Sequence, residues 1–224
     1  MIILTGASGG IGSEIAKELS QYDDLIGIYN KNKPIDSSFE AYHLDLNSEI
    51  EVNSFFEKIQ SRTKKINLIH AAVINSSNLI AELSFDEFKT IINFNVNCVF
   101  NLNKVFLKKM MSDRYGRIIH FSSVAAEKGI VGSCAYSTSK TAILGMSKVI
   151  SKEFGRFGIT SNVINMGYFD TGLIKAIKPE ILNKIVSSIP TKKLGNPDQI
   201  ADLIKVVIEN NYINGSVLNI DGGI

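Results

Sequence analysis

Met1-Ile2-Ile3-Leu4-Thr5-Gly6-Ala7-Ser8-Gly9-Gly10-Ile11-Gly12 opens the chain, and its reading decides the fold. The apolar run at the start spells a short buried strand. The glycines after it make a turn, and apolar residues then recur at Ile11, Ile15 and Leu19, one face of a helix. Strand, glycine turn and helix in that order suit a phosphate: glycines let the backbone approach a pyrophosphate closely, and a helix N-terminus offers free N–H groups and a favourable dipole. The spacing Gly6-x3-Gly10-x-Gly12 departs from G-x-G-x-x-G, and the same glycines also fit a plain turn. The remainder of the chain has to choose between the two.

Working outward, strand patterns recur at Leu25–Tyr29, Glu40–Leu44, Ile66–Val73, Arg117–Ser123, Thr160–Asn165 and Ser216–Ile220. Helical patterns lie between most of them. Ser48-x-x-Glu51 and Ser84-x-x-Glu87 read as capping boxes, the first opening a helix through Phe55, Phe56 and Ile59, the second a long helix through Phe88, Ile91, Ile92, Val96, Val99 and Phe100. A further helix carries Tyr136 and Lys140 and continues through Ile143, Met146, Val149, Ile150 and Phe154. Asn196-Pro197 starts the last, through Ile204 and Val207. Between Tyr29 and Glu40, Pro34 and Asp36 leave little room for a crossover helix. This alternation predicts an α/β fold: a Rossmann-type doubly wound parallel sheet of about seven strands in three layers, one domain over 1–224. The stretch 168–194 is long and weakly periodic, apolar at Leu173, Ile174, Ile177, Ile181 and Ile185, and is expected to be a substrate lid.

The bulk numbers exclude several classes. With 45% hydrophobic and 21% charged residues and a net charge of +2, the composition is that of a soluble globular protein. No apolar run approaches the roughly 20 residues of a membrane span, and the chain enters its first strand with no basic leader, so a cytoplasmic protein is expected. Lys and Arg are scattered, against a nucleic-acid footprint. Cys98 and Cys134 lie among apolar or small residues without metal-ligand spacing, and are expected to be buried, reduced thiols.

The candidate chemistry centres on Tyr136-Ser137-Thr138-Ser139-Lys140. On a helix, Tyr136 and Lys140 share a face, roughly 6 Å apart at Cβ, which sets an ammonium beside a phenol and favours the phenolate. A packed aromatic with a solvated lysine would show the same spacing. Ser123 arrives at a strand end. Asn95 and Asn97 interrupt an apolar helix face and need partners if buried, whereas Asn101 and Asn103 are expected to be exposed. His70, at a strand end, is read as a hydrogen-bonded structural residue. Asn30 and Lys31 close the second strand where a carboxylate would hold a ribose 2′-hydroxyl; a lysine attracts a 2′-phosphate, so NADP(H) is preferred over NAD(H). Asp45 suits an adenine amino group or a plain loop, and Ala71 and Ala72 permit close approach of a ligand or of backbone.

Taken together, these residues resemble the short-chain dehydrogenase/reductase family from Thr5 to Gly223. The family's T-G-x3-G-x-G loop is matched by Thr5, Gly6, Gly10 and Gly12, its catalytic set by Asn95, Ser123, Tyr136 and Lys140, and its closing D-G-G by Asp221-Gly222-Gly223. The resemblance implies that Ser123 holds a substrate oxygen, Tyr136 exchanges its proton, Lys140 lowers the tyrosine pKa and holds the nicotinamide ribose, and Asn95 holds a relay water. It implies a cofactor site of Gly6, Ser8, Gly10, Ile11, Gly12, Asn30, Lys31, Asp45, Leu46, Ala71, Ala72, Tyr136, Lys140, Gly167 and Thr171, and no metal. Among members the pattern is similar to the 3-oxoacyl-acyl-carrier-protein reductases, implying a small carbonyl or alcohol substrate, free or carrier-bound. A sugar or secondary-metabolite ketone reductase is the alternative, and a nucleotide-binding regulator or scaffold the one from another class. The apolar faces at Val96–Phe106 and Ile143–Phe154 match helices that the family pairs in homodimers and homotetramers. Three departures stand out: His70-Ala71-Ala72-Val73 for N-N-A-G, Met166 for the proline before Gly167, and the shortened second crossover.

Overall fold

The computed structural model describes residues 1–36 and 38–224. The side chains at 173 and 176 are outside the description, so the expectation for Leu173 in the lid lies outside the described residues. Seven strands, β1 (Ile2–Thr5), β2 (Leu25–Tyr29), β3 (Glu40–His43), β4 (Asn67–His70), β5 (Gly116–Ser123), β6 (Ile159–Met166) and β7 (Val217–Ile220), form one sheet. Its order is β3-β2-β1-β4-β5-β6-β7 with every pairing parallel. The chain winds one way from β1 to β3 and the other way from β4 to β7, and the switch lies between β1 and β4. Ligands in such sheets bind outside the strand C-termini at that switch.

The helices are α1 (Gly10–Ser20), α2 (Glu49–Ile59), α3 (Phe85–Ile92), α4 (Cys98–Asp113), α5 (Ala125–Lys128), α6 (Cys134–Phe154), α7 (Pro179–Ser188) and α8 (Asp198–Glu209). Successive strand residues point to opposite faces, and here both faces are apolar. Ile3, Leu68 and Ile118 pack with Val52, Leu102, Phe106 and Ile150 of α2, α4 and α6. Ile2, Leu4, Ile69 and Phe121 pack with Ile15, Leu19, Ile204 and Val207 of α1 and α8. The three-layer reading follows from this alternation. Each such side chain, fully buried, contributes about 1.5–3 kcal/mol.

Capping fixes where helices begin. Ser48 and Ser84 accept from the N–H groups of Glu51 and Glu87, each at 3.2 Å. At Asn196 both halves of a capping box close, the amide oxygen on the Asp198 N–H at 3.1 Å and Gln199 back on the Asn196 N–H at 2.9 Å. Among the described residues no helix intervenes between β2 and β3, where Phe39 packs on Gly27 instead.

Four expectations need correction. The long helix expected through Phe100 is broken by a π-turn at Asn93–Asn97, separating α3 from α4. The stretch 168–194 is not a loop throughout: it holds a 3-10 turn, Gly172–Ala176, and then α7, which starts at Pro179 and carries an amphipathic pattern at Ile181, Leu182, Ile185 and Val186. Asn103 is buried, hydrogen-bonded to His70, and Asn101 is half-buried, because α4 lies flat against the sheet. Cys134 is only half-buried at the start of α6, while Cys98 is buried, its thiol pushed up to about 11 by desolvation. Among the described residues no helix is long and apolar enough to cross a membrane.

Candidate active site

The glycine turn leaves β1 at the switch point. Gly6 has φ of 71°, and a Cβ there would lie 2.8 Å from the Ala72 Cα, so this turn and the small residues after β4 are fitted to each other. Thr5 fastens them: its hydroxyl accepts from the N–H groups of Ala71 and Ala72, both at 3.1 Å. Ser8 is half-buried on the same turn, and in the first turn of α1 Ile11 is half-buried and Gly12 buried. The opening N–H groups of that helix have no partner within it and face the strand ends.

The segment after β6 closes over this turn. Thr171 donates to the Gly10 carbonyl at 3.1 Å, and a Cβ on Gly10 would lie 2.2 Å from the Gly172 Cα. Gly167 abuts Asp221, and the Gly222 carbonyl accepts from the Thr191 N–H at 3.2 Å. The stretch 168–194 thus leaves and returns at one place, where Asp170 donates to Gly195 at 3.0 Å and Gly195 to Tyr168 at 2.9 Å.

On the other side of the switch a groove of about 690 Å³ is lined by Asn30, Lys31, Asn47, Ile74, Thr90 and Asn93, with Asp86, Lys89 and Phe94 completing its wall. Asn30 and Lys31 were expected in such a site; Asn47 and Asn93 were not. Their amides meet at 3.0 Å, tying the loop after β3 to the π-turn. Asp45 is half-buried and accepts at one oxygen from the Asn47 N–H at 3.0 Å and the Asn47 amide at 2.8 Å, a loop role. Leu46 is buried beside it.

The four residues expected to carry chemistry come from three elements. Asn95 sits buried in the π-turn, accepting from the Ile74 N–H at 3.0 Å and donating to the Ile74 carbonyl at 2.9 Å and the Ser139 hydroxyl at 3.0 Å. Ser139 in turn donates to the Tyr136 carbonyl at 2.7 Å, so the π-turn is pinned to the helix that bears the phenol. Lys140 is 7% exposed and donates to the Phe121 carbonyl at 2.8 Å, its ammonium 5.7 Å from the centre of the Tyr136 ring. The spacing on α6 therefore does place ammonium and phenol together.

Electrostatics differ from expectation. Burial pushes the Tyr136 phenol up, with a hydrogen bond to Ser123 working against it, and the Lys140 charge is not among the influences. Burial brings Lys140 down to about 8. At neutral pH the site holds a protonated phenol beside an ammonium, an arrangement able to give a proton to an oxygen held by Ser123.

Similarity to known proteins points the same way. The family description "short chain dehydrogenase" matches residues 1–181. A 3-oxoacyl-acyl-carrier-protein reductase FabG of Buchnera aphidicola is 31% identical, the match covering 99% of this chain and 95% of that protein. Carbonyl reductase family member 4 of Xenopus laevis is 29% identical over 98% of this chain and 95% of its own. Among solved structures, the ligand-free aldohexose dehydrogenase of Thermoplasma acidophilum superposes with a TM-score of 0.90 at 26% identity, covering 99% of this chain and 92% of that one.

Proposed function

The chain belongs to the short chain dehydrogenase family and is an oxidoreductase of it; on that premise we propose that it reduces a ketone, a 3-oxoacyl thioester or similar, to a secondary alcohol with NADP(H). The protonated Tyr136 phenol beside Ser123 and the buried Lys140 ammonium carry this reading.

A nicotinamide cofactor bound along the strand C-termini supplies the hydride. The residues fit such a group: the glycine turn and helix N-terminus at the switch point, Ala71 and Ala72 beneath, Gly167 and Thr171 above, and the groove of about 690 Å³ at the adenosine end. Lys31 stands exposed in that groove, while the groove's carboxylate, Asp86, is paired with Lys89 at 2.7 Å, which favours the 2′-phosphate of NADP(H). In the reducing direction Ser123 orients the substrate oxygen, and Tyr136 donates its proton there. Lys140, charged below about 8, holds its ammonium 5.7 Å from the centre of the Tyr136 ring and is the group proposed to hold the nicotinamide ribose. Asn95 braces the π-turn against Tyr136 through Ser139, beside any role in holding a relay water.

The stretch 168–194 is the proposed lid, its apolar α7 suited to an acyl or alkyl substituent. A sugar substrate is the second reading, favoured by the fold's likeness to an aldohexose dehydrogenase. A homodimer or homotetramer in the cytoplasm completes the proposal: the apolar side chains Phe100 on α4 and Val149 on α6 are 57% and 53% exposed.

The test is cofactor oxidation with a panel of ketones, sugars and 3-oxoacyl thioesters. Tyr136→Phe is expected to lower turnover at least about 100-fold while NADPH still binds, since positioned acid–base groups contribute that much. A variant keeping a tenth of the rate contradicts the role of Tyr136. NADPH binding with no turnover on any substrate favours a regulator or scaffold.

A further inference from the structure

Beneath the site lie two imidazoles for which the reduction has no use. His70 at the end of β4 and His120 in β5 are register partners, stacked with ring centres 4.9 Å apart and planes at 3°. His70 pairs through Nε2 with Asn103 Oδ1 at 2.9 Å, and the same amide donates to Met146 Sδ at 3.5 Å. His120 is fully buried, and neither of its ring nitrogens has a partner among the described residues. Buried polar atoms are almost always satisfied, by protein or by an ordered water.

Lys140 shows the complementary deficit. Its ammonium has three N–H donors and, among the described residues, one acceptor, the carbonyl of Phe121, the residue next after His120. Ser122, on the same face of β5 as His120, donates to the Lys140 carbonyl at 3.3 Å, so α6 is fastened to β5 here by a second bond. The charge of Lys140 is felt at both rings. Among the described residues the titratable groups facing His120 are His70 from β4 and Lys140 from α6, and α4 contributes the neutral Asn103. A donor short of acceptors is bonded to the residue next to an acceptor short of donors, an arrangement that suits a single bridging water.

We propose that His120 is a positioning residue for Lys140: one buried water takes an N–H from the ammonium and donates to a bare ring nitrogen of His120, while the stacked His70 holds that ring in place. The functional part rests on the role given to Lys140 above. A neutral imidazole is the acceptor this needs, and burial keeps both rings neutral. Without that acceptor the ammonium loses a partner, and its proton is held less tightly.

Two measurements test this. The chain has three histidines, and His43 is exposed, so the ring-nitrogen NMR spectrum of the ligand-free protein separates them. His120 is expected as a single neutral tautomer whose shifts move in Lys140→Met while His43 stays put; His120 shifts indifferent to Lys140→Met overturn the proposal. In kinetics, the limb on which kcat/KM falls as Lys140 loses its proton is expected to move about one pH unit lower in His120→Phe and to return in His120→Asn, whose amide still accepts a hydrogen bond. A folded His120→Phe with an unmoved limb also overturns it. The spectrum needs neither a folded His120→Phe nor any substrate, so it decides the point even if ketone reduction fails.

Discussion

Lys31 stands exposed just beyond the end of β2 and lines the groove with Asn30, where the proposed cofactor site puts the ribose 2′ position. Lys31→Ala is expected to weaken NADPH about tenfold, the scale of one charge-assisted contact, and to leave NADH unchanged. Fluorescence titration with both cofactors reads this, and tighter NADH binding by the unaltered protein would reverse the assignment. The buried imidazoles make a second prediction at this scale. Desolvation brings His70 to about 4 from an ordinary 6.5, and His120 is lowered too. Between those values the unfolded chain binds protons that the folded one refuses, so this contribution to stability is complete above about 6.5 and is lost as pH falls toward 4. Melting temperature against pH should decline through that window, and His70→Asn should flatten the decline; a profile with no slope there would refute the assignment.

At the scale of elements, two pieces control the site without touching the reacting atoms. The cap at Ser84 starts α3, whose Thr90 forms one wall of the groove, with Asn93 just beyond its end. Ser84→Ala should cost about 1 kcal/mol, a fall of about 2–4 °C in Tm by calorimetry for a chain of this size. The segment Gly172–Ala176 rests on the glycine turn through Thr171 and Gly10. A pyrophosphate laid on that turn must contact or displace it, so amide exchange across 172–177 is expected to change on adding cofactor, with Thr171→Val exchanging faster beforehand. Identical exchange with and without cofactor would remove this segment from the binding site. Of these two pieces only the cap was legible in the sequence. In α7 the apolar residues stand out in the sequence, but its start depends on Pro179 at the first helical position, with no capping side chain to mark it.

For the whole molecule, the exposed apolar side chains Phe100 and Val149 bear on assembly. Changing both to Asp should turn the proposed homodimer or tetramer into a monomer by light scattering, whereas an unaltered mass would show that copies meet elsewhere. The sequence by itself determined the alternation of strands and helices, the glycine turn, the caps, and the placing of Ser123, Tyr136 and Lys140. These rest on periods of two and 3.6 residues and on signals within a few positions of one another, which one chain segment displays alone. Only the tertiary structure decided which asparagines are buried, where the helix opens into a π-turn, and that Asn47 and Asn93 join across the groove. The partner of Asn103 is His70, 33 residues away, and the partner of Asn93 is Asn47, 46 away. Burial of a polar side chain depends on what the fold lays over it, and no local pattern carries that information; for His120 the fold supplied a stacked ring and a lysine charge, and left both nitrogens in want of a partner.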